Sequence, residues 1–318
     1  MNEAALSRLL PLLFVVLAGS GFVGTRLGLS HAEPFVFLGL RFALAAAILV
    51  GIAAAVRAPW PRNLREAMHI GIAGLLGIGL FSAGVCYSIA LGVPPAVSAL
   101  IIALHPILVA LGAGPLLGER VTPRQWLGLL LGLAGVYLVL HGRLQVDPAY
   151  LDAALLSVLG LIGMSAGNLY QKKRCPGMHP LTGSTLQHAL CTLPMLAGAA
   201  LFETGEVTWN GEFFVALLWM AIPVSVGAVT LLGLLIQRGE VSRVASIFYL
   251  MPVSAAITAY LLFGQSIEAA AFGGIALAAT GVLLAVMKPA PRPAAATPAE
   301  AEPVLQPPQR SIIASERT

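Results

Sequence analysis

The sequence predicts an all-α polytopic membrane protein, with ten transmembrane helices in two inverted five-helix repeats. Three observations predict it: a shortage of charge, a series of long apolar spans, and an internal repeat with an odd number of spans per copy. The 318 residues are 58% hydrophobic and only 10% charged, whereas a soluble domain carries about a quarter charged residues. Mean hydropathy is +0.88. Seven charges fall between Lys288 and Arg317 in a Pro/Ala-rich tail, which leaves 25 for the first 287 residues. A water-facing surface cannot be built from so few. The 34 glycines suit closely packed membrane helices better than strands.

Ten apolar spans, each close to the ~20 residues a bilayer core requires, run approximately over 9–28, 34–56, 66–90, 94–116, 123–141, 150–170, 179–202, 211–236, 241–263 and 267–287. Barrel strands use only about 10 residues, which excludes a β-barrel. The first span follows Arg8 and carries Ser20 and Thr25. The second opens on Pro34 and holds Arg41, the one charge well inside a span. A small-residue face of Gly71, Gly74, Gly77 and Gly79 marks the third, which ends with Tyr87 and Ser88. In the fourth, His105 precedes Pro106, whose ring frees the carbonyl of Ile102 and kinks the helix. Glu119 follows its end. Thr122-Pro123-Arg124-Gln125 opens the fifth with an N-cap threonine, a proline at the first helical position and a glutamine three residues after the cap. The sixth carries Ser165, Asn168, Tyr170 and Gln171, the seventh Gln187, and the eighth Thr230. Ser246, Tyr249 and Pro252 lie in the ninth, where Pro252 frees the carbonyl of Phe248, and Gln265 falls just beyond. The tenth completes the series.

Shifting the chain by 146 residues superimposes its halves without a gap. Pro34 falls on Pro180, Leu40 on Leu186, Pro106 on Pro252, Gly118 on Gly264, Gly128 on Gly274, and Gly135-Val136 on Gly281-Val282. Gly21 meets Gly167, so the first span has a counterpart and is expected to be retained rather than cleaved as a signal peptide. Copies of five spans must cross in opposite senses. The expected organisation is a cytoplasmic N-terminus over 1–8, repeats over 9–141 and 150–287, and a disordered cytoplasmic tail over 288–318. If the first span starts inside, fifteen Lys and Arg residues face the cytoplasm and only Arg26 and Arg143 lie outside. That bias puts both termini in the cytoplasm.

Composition and motifs also exclude. A net charge of +4 and a pI near 9.2 come without the basic, aromatic-interleaved stripe that nucleic acid requires. Three cysteines cannot form a disulfide framework, and no CxxC, HExxH or phosphate-loop spacing occurs. No metal, cofactor or enzymatic activity is expected. Paired Asp residues, a His-rich cluster and a nucleophile with a base at helical spacing are all missing. No Asp or Glu lies near the middle of a span, so a carboxylate proton carrier has no obvious residue.

The segment PPAVSALIIALHPILVALGAGPLLGERVTPRQWLGLLLGLAGVYLVL resembles the fourth and fifth helices of an EamA-type repeat of the drug/metabolite transporter superfamily. It carries the mid-helix Pro106, Leu-Gly-Glu at 117–119 and the Gly128…Gly135-Val136 helix. LAGSGFVGTRLG and LGLRFALAAAIL, with Arg41-Phe42, resemble the first two helices, and LLIQRGEVSRVASIFYLMPVSAAITAYLLFGQ the eighth and ninth. The resemblance covers roughly residues 9–287. It implies a central cavity lined mainly by helices 1, 3, 4, 6, 8 and 9, and export or exchange of small metabolites such as amino acids or amines. Gln265 stands opposite Glu119, at a position often acidic in the family.

Inverted repeats are typical of secondary transporters, which bind substrate near the midplane where the repeats meet. The expected function is alternating-access movement of a small metabolite across the inner membrane, with the bilayer and a solute as partners. Ser20, Tyr87, His105, Asn168 and Tyr249 are expected to line the cavity, with Pro106 and Pro252 supplying helix irregularity. Arg41 either attracts an anion, pairs with Glu33 as an outer gate, or anchors packing; its repeat mate is Gln187. Glu119 either interacts with the start of the fifth helix or with Arg120 and Arg124, or, preferably, serves as a helix cap; Gln265 is its counterpart in the second repeat. Gly128-x-x-x-Gly132 offers either a homodimer contact or, preferably, intramolecular packing. Two alternatives remain: a sugar-phosphate or nucleotide-sugar exchanger on the same fold, and a non-transporting sensor or assembly protein.

Overall fold

The computed structural model describes residues 3–141, 150–239, 241–254 and 269–287. These residues form a multi-pass helical membrane protein. In chain order the helices are α1 (Glu3–Leu29), α2 (Pro34–Ala55), α3 (Leu64–Ala90), α4 (Pro95–Ile102 and His105–Leu117), α5 (Pro123–Leu140), α6 (Leu151–Arg174), α7 (Pro180–Phe202), α8 (Gly211–Arg238), α9 (Val241–Ser254) and α10 (Ala269–Val286). Eight are long and apolar enough to cross a membrane, while α9 and α10 are shorter apolar helices among the described residues. The rest of the expected ninth span, Gln265 and the tail from Lys288 lie outside the described residues. Helix α1 begins at Glu3, within the expected N-terminal extension.

Sequence chemistry sets the helix boundaries. Thr122 accepts from the Gln125 amide at 3.3 Å and the Gln125 side chain accepts from the Thr122 amide at 2.7 Å, closing a capping box around Pro123. Asn63 and Asn210 cap α3 and α8 through the amides of Glu66 and Phe213. At the end of α4, Gly118 adopts φ 73°, a left-handed conformation that costs an L side chain energy but is open to glycine. Its amide bonds to Gly114 and that of Glu119 to Ala113, which reverses the chain.

The two repeats break their helices at matching places. Helix α4 is interrupted at Ala103-Leu104, just before Pro106. Adding 146 gives 249–250, where α9 tightens into a 3-10 turn over Ile247–Leu250 before Pro252. Helix α3 widens into a π-helical segment over Leu75–Leu80, and α8 does so over Met220–Ala228, which contains the repeat-equivalent positions. Pro223 lacks the N–H that an α-helical ladder needs there, and π segments are common at functional sites.

Small residues set the packing. Helices α5 and α10 approach so closely that a Cβ on Gly128 would lie 2.6 Å from the Gly281 carbonyl, and one on Gly135 2.7 Å from that of Gly274. These four glycines are two repeat-related pairs crossing at a local two-fold. The Gly128/Gly132 stripe is therefore covered by α10 and by Tyr249 of α9 in the same chain. On α3, Gly71, Gly74 and Gly77 admit Leu190, Gln187 and the backbone at Gly167 respectively. Tyr249, Leu129, Val136 and Ala278 fill a core between α5, α9 and α10. Phe14, Phe248, Leu161 and Met164 fill another between α1, α6 and α9. Large apolar side chains such as Leu111, Leu155 and Leu193 point outward, as a lipid-facing surface requires.

Candidate functional site

A cavity of about 70 Å³ opens where α1, α2 and α3 of the first repeat meet α8 of the second. Its polar wall is Arg41, Thr25, Ser82 and Cys86, and its apolar wall includes Phe81, Ile89, Met220 and Val224. Arg41 is only 6% exposed. Its Nε donates to Ser225 Oγ at 2.9 Å, and its guanidinium lies 5.3 Å from the centre of the Phe42 ring. The π-helical segment of α8 presents Ser225, Met220 and Val224 to this place. Among the described residues Arg41 has no carboxylate partner.

The expected Arg41–Glu33 gate is not formed. Glu33 sits eight residues earlier, about 12 Å along a helix axis at 1.5 Å per residue. Its carboxylate accepts instead from Thr204 Oγ1 at 3.0 Å and the Gly205 amide at 2.9 Å. Gln187 donates to Gln171 Oε1 at 2.9 Å, both side chains being buried.

None of the five residues expected to line the central cavity lines this one. His105 and Asn168 do come together with Ser165, but in a closed network. Asn168 Nδ2 and His105 Nε2 are 3.2 Å apart, His105 Nδ1 and Ser165 Oγ are 3.0 Å apart, and Ser165 Oγ donates to the Leu161 carbonyl at 2.8 Å. That chain fits a neutral imidazole protonated on Nδ1, with both ring nitrogens partnered. Tyr249 is fully buried against Gly132, its hydroxyl without a partner among the described residues. Ser20 bonds the Leu17 carbonyl and receives Trp219 Nε1 at 3.1 Å.

Tyr87 belongs to a different assembly. Its hydroxyl donates to Glu203, whose carboxylate also accepts from the amides of Phe35 and Val36 at 2.7 and 2.8 Å. Those amides are unpaired donors of the first turn of α2, where negative charge is also favoured by the helix dipole. Thus a carboxylate of the second repeat caps a helix of the first. At the opposite end the relation is exchanged. Glu119 of the first repeat accepts from the Val241 amide at 3.0 Å, the Ser242 amide at 3.4 Å and Ser242 Oγ at 2.9 Å, at the start of α9. The start of α5, one of the partners expected for Glu119, is satisfied instead by Thr122 and Gln125.

Sequence reasoning missed Ser82, Ser225 and Glu203. Ser225 had a local signal, since it lies two residues after a mid-span proline. Glu203 had none, because its partners are more than a hundred residues away.

The EamA-like transporter family profile matches residues 6–141 and again 152–287. The chain belongs to the EamA-like transporter family. Both copies of the family unit coincide with the two helical repeats seen in the structure. Among curated relatives, a protein of Salmonella typhimurium named "Probable amino-acid metabolite efflux pump" is 25% identical over 287 residues, 87% of this chain and 93% of its own. "Aromatic amino acid exporter YddG" of Ancylobacter novellus is 35% identical over 143 residues, 40% of this chain and 46% of its own. A solved structure titled only "Crystal structure of protein" shares the fold, with a TM-score of 0.75 and 22% identity over 89% of this chain and 98% of that one.

Proposed function

We propose that this transporter exports a small amino-acid-type metabolite across the bacterial inner membrane by alternating access, with both termini in the cytoplasm. The observation that carries the reading is a cavity between inverted repeats whose two ends are tied by reciprocal carboxylate caps. Glu203 joins the repeats at the end expected to face outward, and Glu119 joins them at the other. Release of one cap while the other holds would open the cavity to one side at a time. Rigid-body rocking of one repeat against the other is the usual motion of such folds. The names of the two relatives, an amino-acid metabolite efflux pump and an aromatic amino acid exporter, support the substrate class. The described cavity lining contains no carboxylate, so the reading includes no proton carried by Asp or Glu. The positive-inside distribution of Lys and Arg supports the orientation.

The test is counterflow in proteoliposomes loaded with amino acids, amines or sugar phosphates, with and without a pH gradient. Selective, saturable exchange of amino acids in both conditions is the expected result. Exchange of sugar phosphates alone, or no flux of any class by folded protein, would overturn the reading.

A further inference from the structure

We infer that Arg41 is the anchor for the carboxylate of the transported solute, a site that deepens, and rests on, the exporter reading above. A guanidinium removed from water is costly unless its charge and donors are satisfied. Here Ser225 holds only Nε, and among the described residues nothing bonds the two terminal nitrogens. Those nitrogens form the edge of the fork that a carboxylate grips with two parallel hydrogen bonds. Ser225 therefore orients the group while leaving its binding edge free for the cavity that Arg41 lines.

Two further groups share that condition. Thr25 and Ser82 line the same cavity, are 8% and 5% exposed, and have no hydrogen-bond partner among the described residues. None of the three has its polar atoms sealed away from solvent, so their unpaired donors open onto the cavity they share, where a polar ligand would meet all three. The rest of the wall is apolar, with Phe81, Ile89 and Met220 available to an aliphatic or aromatic substituent.

The second repeat supplies an internal control. At the positions equivalent to Arg41 and Thr25 stand Gln187 and Gln171, and these bond one another at 2.9 Å. The mirror-image place is closed by protein, whereas the Arg41 place is open. The charge also limits the ligand to a monoanion. Arg41 is the only charged residue in the described lining. Lys172 is committed to the carbonyls of Ile236, Gln237 and Gly239, at 2.7 to 3.2 Å. A phosphate ester would need more than one cation. The ligand class is thus a carboxylate carrying an apolar substituent, either an amino acid or a simple monocarboxylate.

The experiment uses the full chain, purified in detergent for binding and reconstituted for counterflow, with radiolabelled L-leucine as probe. Unlabelled leucine, 4-methylpentanoate, leucinamide and 3-methylbutylamine compete, so that the carboxylate and the amine are removed separately. Both carboxylates should compete, and the amide and the amine should be about tenfold weaker or worse, the scale of one charge-assisted bidentate contact. Arg41→Gln should abolish that preference. Arg41→Lys should keep it with a raised half-saturation concentration, and Ser225→Ala should raise half-saturation more than it lowers maximal rate. If Arg41→Gln does not reach the membrane, the other two variants and the competition series decide. Equal competition by leucinamide, or half-saturation unchanged in the Arg41 variants, would overturn the site while leaving the exporter reading intact. Arg41-dependent binding of labelled 4-methylpentanoate without amino-acid flux would reject the amino-acid class and keep the site. Absence of any carboxylate binding to the wild type would overturn it.

Discussion

At the residue scale, Glu203 both caps a helix of the other repeat and holds a tyrosine. Its two oxygens satisfy donors that the first turn of α2 cannot pair internally, and the same carboxylate receives the Tyr87 hydroxyl. Glu203→Gln removes the charge and one strong acceptor, so stability should fall by about 1–2 kcal/mol, measured as a lower Tm in detergent. His105 leads to a different expectation. Because Asn168 and Ser165 both depend on it, His105→Ala strands buried partners at a cost of about 1–3 kcal/mol. That loss would appear in Tm as well as in transport, which a purely solute-facing histidine would not produce. Cys175 lies beyond the end of α6, where burial and, secondarily, the charge of Glu66 push its thiol up to about 11 from an ordinary 9.0. The thiol form is favoured below that value, so Cys175 should resist alkylation at pH 8 and react only as the medium approaches pH 11. Mass spectrometry after alkylation at stepped pH checks this. Arg41 was legible in the sequence because a charge within an apolar span is conspicuous. Its partner Ser225 and the linking role of Glu203 were not, since serines and loop glutamates are common and only the fold brings them into reach.

At the scale of elements, glycine spacing and proline position carried most of the information. Pro106 and Pro252 sit beside the breaks of α4 and α9, and the capping box at Thr122 opens α5 where its residues indicated. The π-helical segments of α3 and α8 were not foreseen, because a one-residue widening leaves the hydropathy of a span unchanged. The crossing of α5 and α10 can be tested with a matched pair of substitutions. In Gly128→Ala the new Cβ would meet backbone of α10 at 2.6 Å, while in Gly51→Ala it would meet nothing within 4 Å. Gly128→Ala should destabilise by about 1–3 kcal/mol through overpacking. Gly51→Ala should be neutral or stabilising by up to about 1 kcal/mol, as expected for a helix interior. Thermal unfolding of both variants in one detergent separates close packing from helix propensity.

For the whole molecule, the 146-residue repeat makes the architecture legible in the sequence, because copies with an odd number of spans must invert. What it could not reveal is how the halves are joined, since Glu119 and Glu203 occupy non-equivalent places in the two copies. The symmetry is broken at the point where chemistry is needed: Arg41 and Thr25 face a cavity, while Gln187 and Gln171 close on each other. Cys86 lines that cavity and is buried in this closed state, so a thiol reagent reaches it only when the cavity opens, which makes it a native reporter of access. With Cys175→Ser and Cys191→Ala it becomes the sole thiol of the chain, and its modification by a membrane-impermeant reagent can be timed from each side of oriented vesicles. Alternating access predicts modification from both sides, slowed by the transported solute. Glu203→Gln should speed the reaction from outside, and Glu119→Gln from inside. Modification from one side only, at a rate indifferent to both substitutions, would contradict the account.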